Sequence, residues 1–128
     1  SKIYSFYNGR SALYHWLKWL NLKKWSKIIV SSYTCVTVIN AILQAGLEPV
    51  YVDISADTLN ISLKDLKKKI NTGVKAILVQ HTFWNPADMM NIMKIAEQSD
   101  LFVIEDVAHA LGAEIWWKKV GTFADMAI

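Results

Sequence analysis

With 128 residues, 53% of them apolar, and a net charge of +3, the chain can build the core of one ordinary domain but holds no apolar run long enough to span a bilayer. The start "SKIYSFYNGR" lacks a signal-peptide pattern, and the single cysteine, Cys35, cannot form an internal disulfide, so a reducing, cytoplasmic setting is expected. The charge sits mostly in the lysines of "NLKK" and "KDLKKK", which read as solvated helix faces; arginines interleaved with aromatics are absent, so neither nucleic acid nor a membrane is an expected partner, and no metal site is expected.

The first element in chain order is the stretch "YNGRSAL". A glycine followed by a small hydroxyl residue at a helix start leaves free backbone N–H groups at the positive end of the dipole, which suits a phosphate. It is not a GxGxxG fingerprint, and no second or third glycine follows. In "SALYHWLKWL", Leu13, Trp16, Leu17 and Leu20 recur at helical spacing. "KIIVSS" (27–32) is a short apolar strand. Thr34 is the expected N-cap of the next helix, with Val36, Ile39 and Leu43 on its buried face and Gly46 as its stop.

"PVYVDI" (49–54) is the second strand. Ser62 and Asp65 form a capping box ahead of Leu63, Leu66 and Ile70. "AILVQH" (76–81) follows, and then Asn85 and Pro86 are expected to cap and open a helix that buries Met89, Ile92, Met93 and Ala96. "LFVIEDV" (101–107) is the last apolar run. Strands and helices that alternate with short connections imply an α/β fold, in which right-handed crossovers put helices on both faces of a parallel sheet. Ligands in such sheets bind beyond the carboxyl ends of the strands. That selects "SSYTC", "DISADT", "QHTFWNP" and "EDVAHA".

Asp106 leaves a buried-looking strand, so its carboxylate should be partly desolvated and paired with a cation. The plainer reading is a helix cap or a structural ion pair. His109 reaches the same place if the chain turns there into a short helix; a satisfied core histidine is the alternative.

In order, "NGRSAL", "SSYTCVTVINAILQAGLEPVYVDI", "DTLNIS", "QHTF", "VIEDVAHALGAE" and "KKVGTFADMAI" resemble the successive motifs of the DegT/DnrJ/EryC1/StrS family. The resemblance implies a pyridoxal 5′-phosphate (PLP) enzyme of the aspartate-aminotransferase type (fold type I). Its large domain is a three-layer sandwich around a mostly parallel sheet. It further implies transfer of an amino group from an amino acid to a nucleotide-linked keto sugar, by a homodimer.

By the same resemblance, Asp106 faces the pyridine nitrogen, His109 approaches the ring, and Gly9, Arg10 and Ser11 hold the phosphate. Cys35 stands where relatives stack an aromatic residue on the ring, and Tyr33 and His81 are candidates for the substrate side. Residues 1–128 then correspond to an incomplete PLP-binding domain, with the Schiff-base lysine and the small C-terminal domain outside it, so that the 128 residues alone are expected to be inactive. A sugar dehydratase of the same family, with histidine for that lysine, and a non-catalytic phosphate-binding or interaction domain are the competing readings.

Six tryptophans against five glycines is an unusual balance. Trp25 lies between a helix and a strand, and Trp84 and Trp117 fall where the family has turn glycines. A bulky side chain is strained at such positions. The expectation is that these three are glycine in the native protein, encoded by a UGA codon that the organism reads as glycine. Trp16 and Trp19 are further candidates. True tryptophans in a relaxed sequence are the alternative.

Overall fold

The structure, a computed structural model, describes residues 2–128. In chain order the elements are α1 (Gly9–Trp19), β1 (Lys27–Ser31), α2 (Val36–Gln44), β2 (Glu48–Val52), α3 (Leu63–Lys69), β3 (Val74–Gln80), α4 (Met89–Gln98) and β4 (Phe102–Asp106). A short hairpin, β5 (Glu114–Ile115) and β6 (Lys118–Lys119), then leads to β7 (Met126–Ala127). Five strands form one parallel sheet in the order β2-β1-β3-β4-β7. No helix among the described residues is long and apolar enough to cross a membrane.

Successive side chains of a strand point to opposite faces, and that alternation splits the core in two. Ile28, Val30, Ala76, Leu78 and Ile104 pack under α1 and α2 against Leu13, Leu17, Val38, Ala41 and Ile42. Ile29, Ile77, Val79 and Val103 pack under α3 and α4 against Leu66, Met89, Ile92 and Ala96. The result is the expected three-layer α/β sandwich. A fully buried Leu or Ile stabilises it by about 1.5–3 kcal/mol.

Several local expectations are corrected. The N-cap of α2 is Cys35, not Thr34, because the Thr34 hydroxyl donates instead to Gln80 Oε1 at 2.9 Å. Helix α2 buries Val38, Ala41 and Ile42 and leaves Val36 and Leu43 exposed; a helix apolar on every side gives periodicity little to choose from. Asp88, not Asn85, caps α4 by accepting from the Asn91 amide. Only half of the box at α3 forms: Ser62 accepts from the Asp65 amide, while the Asp65 carboxylate accepts from the Asp53 amide. Gly46 does end α2, at φ +82°.

Trp25, Trp84 and Trp117 have φ of 66°, 64° and 67°. Phe83 and Trp84 are the central residues of a tight turn closed by a bridge between Thr82 and Asn85, both at positive φ. Trp116 and Trp117 form the two-residue loop of the β5–β6 hairpin, again both at positive φ. Hairpin loops of that kind favour Asn-Gly. All three indoles are largely exposed, so no burial offsets the backbone cost. Trp16 and Trp19, in contrast, are ordinary helical residues, and Trp16 meets Phe102 edge-on.

Candidate functional site

The chain leaves β1 so that β2 lies on one side of it and β3 on the other. Such a reversal opens a crevice at the carboxyl ends of the strands. A cleft of about 460 Å³ lies there, lined among others by Asn8, Gly9, Arg10, Cys35, Thr37, Gln80, Asp106, His109 and Ile128. It opens on the α1/α2 side, because Gln80 continues the face of Ala76 and Leu78, and Asp106 that of Ile104. Gln80 and Asp106 are register partners on neighbouring strands.

Asp106 is 9% exposed. Its Oδ1 accepts from the Ala108 amide at 3.0 Å. The expected cationic partner is not found: no cation among the described residues lies within ion-pair distance of it. A largely desolvated carboxylate of this kind favours a cationic ligand atom.

At the other end of the cleft α1 begins. Asn8 caps it, with Oδ1 accepting from the Ser11 amide at 2.9 Å and its carbonyl accepting from Ala12. The amides of Gly9 and Arg10 therefore remain free at the positive end of the helix dipole. The space at Gly9 is open: a Cβ there would meet nothing within 4 Å. Ser11 does not line the cleft, and its amide is committed to the cap. One end of the cleft thus suits an anion and the other a cation.

His109 lines the cleft and stacks on Phe83, with ring centroids 5.6 Å apart and planes within 7°. It sits in a tight turn, closed by the Ala110 amide on the Val107 carbonyl and followed by a second turn from Ala110 to Ala113, rather than in the short helix expected. Its carbonyl accepts from the Trp84 amide at 3.0 Å, which ties the β3–α4 turn to the cleft. Tyr33 meets Phe83 edge-on and is half exposed, outside the cleft lining. Cys35 forms part of the wall, and hydrogen bonds from the Thr37 hydroxyl and amide hold its thiol below the usual pKa.

His81 corrects the expectation of a substrate-side role. Its side chain is wholly buried and follows Val79 and Ile77 onto the α3/α4 face, where both ring nitrogens already have protein partners. In "QHTF" the histidine stands out, but the residue that faces the cleft is its neighbour Gln80. Gln80 lines the cleft and braces its rim, accepting from Thr34 and donating to Thr82 Oγ1 at 3.2 Å. In a strand buried on both faces no polar alternation marks which of two neighbours looks into the crevice. Asn8 is a further cleft residue, and its sequence signal is an Asn just ahead of a helix start, a capping position.

The model of the DegT/DnrJ/EryC1/StrS aminotransferase family matches residues 3–128. The GDP-perosamine synthase of Vibrio cholerae is 34% identical over 120 residues, covering 94% of this chain and 33% of that protein. The aminotransferase of Psychrobacter cryohalolentis superposes with a TM-score of 0.89 at 31% identity, over 94% of this chain and 30% of its own. An E. coli GDP-4-keto-6-deoxy-D-mannose-3-dehydratase, solved with bound hydrated PLP, superposes with a TM-score of 0.84 at 33% identity, over 91% and 31% of the two chains. The chain thus spans about a third of the length of these relatives. Its sheet, its cleft and the match over residues 3–128 agree: the chain belongs to the DegT/DnrJ/EryC1/StrS aminotransferase family.

Proposed function

We propose that this chain forms the PLP cleft of an aminotransferase that moves an amino group from an amino acid to a nucleotide-linked keto sugar. The observation that carries this is Asp106, a largely buried carboxylate with no cationic partner among the described residues, at the floor of a cleft whose far wall is the open N-terminus of α1. PLP is bipolar in the matching sense, with a phosphate at one end and a basic ring nitrogen at the other. The Gly9 and Arg10 amides, with the Arg10 side chain nearby, would donate to the phosphate oxygens. Asp106 keeps the ring nitrogen protonated. When bound, the protonated ring withdraws electrons from the donor carbon whose proton is lost.

His109, held flat by Phe83, presents its imidazole to the ring. Cys35 cannot stack as an aromatic side chain does, so it serves as a small wall residue. No lysine among the described residues lines the cleft, so the Schiff-base lysine comes from outside these lining residues, and the 128 residues alone bind without transaminating. Homodimerisation and a cytoplasmic location complete the reading.

Pyridoxamine 5′-phosphate (PMP) needs no lysine to bind, so it tests the cleft directly. By calorimetry the chain should bind PMP, and Asp106→Asn should weaken binding about tenfold or more, the loss expected for one charge-assisted contact. Equal affinity in the two proteins would refute the assignment. The sugar-dehydratase reading is kept alive by the 33% identity to the E. coli dehydratase. Amino transfer to a keto sugar by the complete enzyme separates the two.

A further inference from the structure

Glu105 and His81 are wholly buried titratable residues that the cleft does not use. Each sits one position from a cleft residue, Asp106 and Gln80, and points to the opposite face of the same strand. The Glu105 carboxylate accepts from His81 Nε2 at 3.1 Å, from Gly121 and Phe123 amides at 2.7 Å each, and from the Ala124 amide at 2.9 Å. His81 Nδ1 in turn accepts from the Ala87 amide at 3.0 Å. That nitrogen carries no proton, so the ring proton lies on Nε2 and is donated to Glu105.

Four segments meet at this pair: the tips of β3 and β4, the turn into α4, and the loop after β6. Gly121, at φ +85°, aims its amide at the carboxylate in a conformation other residues rarely adopt. From that loop the chain returns along β4, where Ile128 and Glu105 share a backbone hydrogen bond and Ile128 reaches the cleft wall. Buried ionic groups seldom stabilise more than apolar residues of the same size. Their use here is geometric: a twist of either tip would turn its cleft residue away.

We propose that Glu105 and His81 are a positioning pair, which fixes the tips of β3 and β4 so that Asp106 faces the ligand and Ile128 closes the wall. This rests on reading the cleft as the cofactor site. The test uses the full chain, PMP as ligand, and the Ala108 amide resonance, which reports on Asp106 Oδ1 whether or not ligand is present. Glu105→Gln keeps the shape but turns an NH₂ group toward donors. It should displace the Ala108 resonance and weaken PMP binding about tenfold. Combined with Asp106→Asn it should weaken binding no further than Asp106→Asn alone. His81→Leu should behave likewise, and His81→Gln, which can still donate to Glu105, should restore both readouts.

A folded Glu105→Gln with parental Ala108 resonance and affinity overturns the proposal. So does a His81→Gln as impaired as His81→Leu, a comparison that also decides the matter if Glu105→Gln does not fold. Should Asp106→Asn leave PMP affinity unchanged, the cofactor reading falls, and the Ala108 resonance alone decides: displaced supports the pair, unmoved overturns it.

Discussion

Side chains at Trp25, Trp84 and Trp117 contradict their own backbones. Each holds φ between 64° and 67°, a region that costs an L-residue about 1–2 kcal/mol and glycine almost nothing. Each indole is also largely exposed, so packing returns little. The backbone at these three positions lies in the region glycine favours, which Leu59, Phe83 and Trp116 also occupy, and the expectation of a UGA codon read as glycine is tested by the codons themselves. The triple variant Trp25→Gly, Trp84→Gly, Trp117→Gly should therefore be more stable than the chain as written, by about 1–3 kcal/mol once the entropy cost of glycine is deducted. Urea unfolding measures this. TGA at codons 25, 84 and 117, with a native mass fitting glycine, would establish the origin; TGG codons would exclude it. His109 reaches the cleft through a tight turn, not the short helix expected. Asp106 was legible in the sequence because a polar residue after a run of apolar ones marks a strand exit. The choice between Gln80 and His81 was not, because both faces of β3 are buried and alternation leaves no trace.

At the level of elements, apolar runs located the four long strands, since a strand covered on both faces can hold little else. Helix starts were harder, because a capping residue can be claimed by a distant partner. Thr34 is taken by Gln80, and Asn85 is held by its neighbours across the β2–α3 connection, donating from Nδ2 to the Thr58 carbonyl at 3.2 Å. Asn60 organises that junction. Buried to 3% exposure, it donates to the Asn85 carbonyl and accepts from the Thr82 amide, both at 2.9 Å. Asn60→Ala would leave the Thr82 N–H buried without a partner, and should cost about 2 kcal/mol. A smaller shift than about 0.5 kcal/mol in urea unfolding would show that water replaces the side chain there. The turn it supports carries Phe83 onto His109, so the same variant should loosen the imidazole.

For the whole molecule, the parallel sheet puts stability and function on opposite faces of the same strand tips. Burial alone would raise the Glu105 carboxyl, but hydrogen bonds from His81 and from the Gly121, Ala124 and Phe123 amides outweigh it and hold the group below the usual carboxylate range. A folded-state pKa below the unfolded one adds stability that is fully present above the unfolded value and is lost as pH falls through the folded one. Glu105→Gln should therefore be less stable than the parent near neutrality and converge on it in acid, flattening the acid limb of the unfolding profile. On the other face, Asp106 sits at the cleft floor with no cation among the described residues to answer its charge. The most direct measurement is the ¹⁵N chemical shift of PMP labelled at the ring nitrogen and bound to this chain, at a pH where free PMP has lost that proton. The nitrogen should be protonated in the parent chain and lose that proton in Asp106→Asn. A deprotonated nitrogen in the parent complex would contradict this role of Asp106.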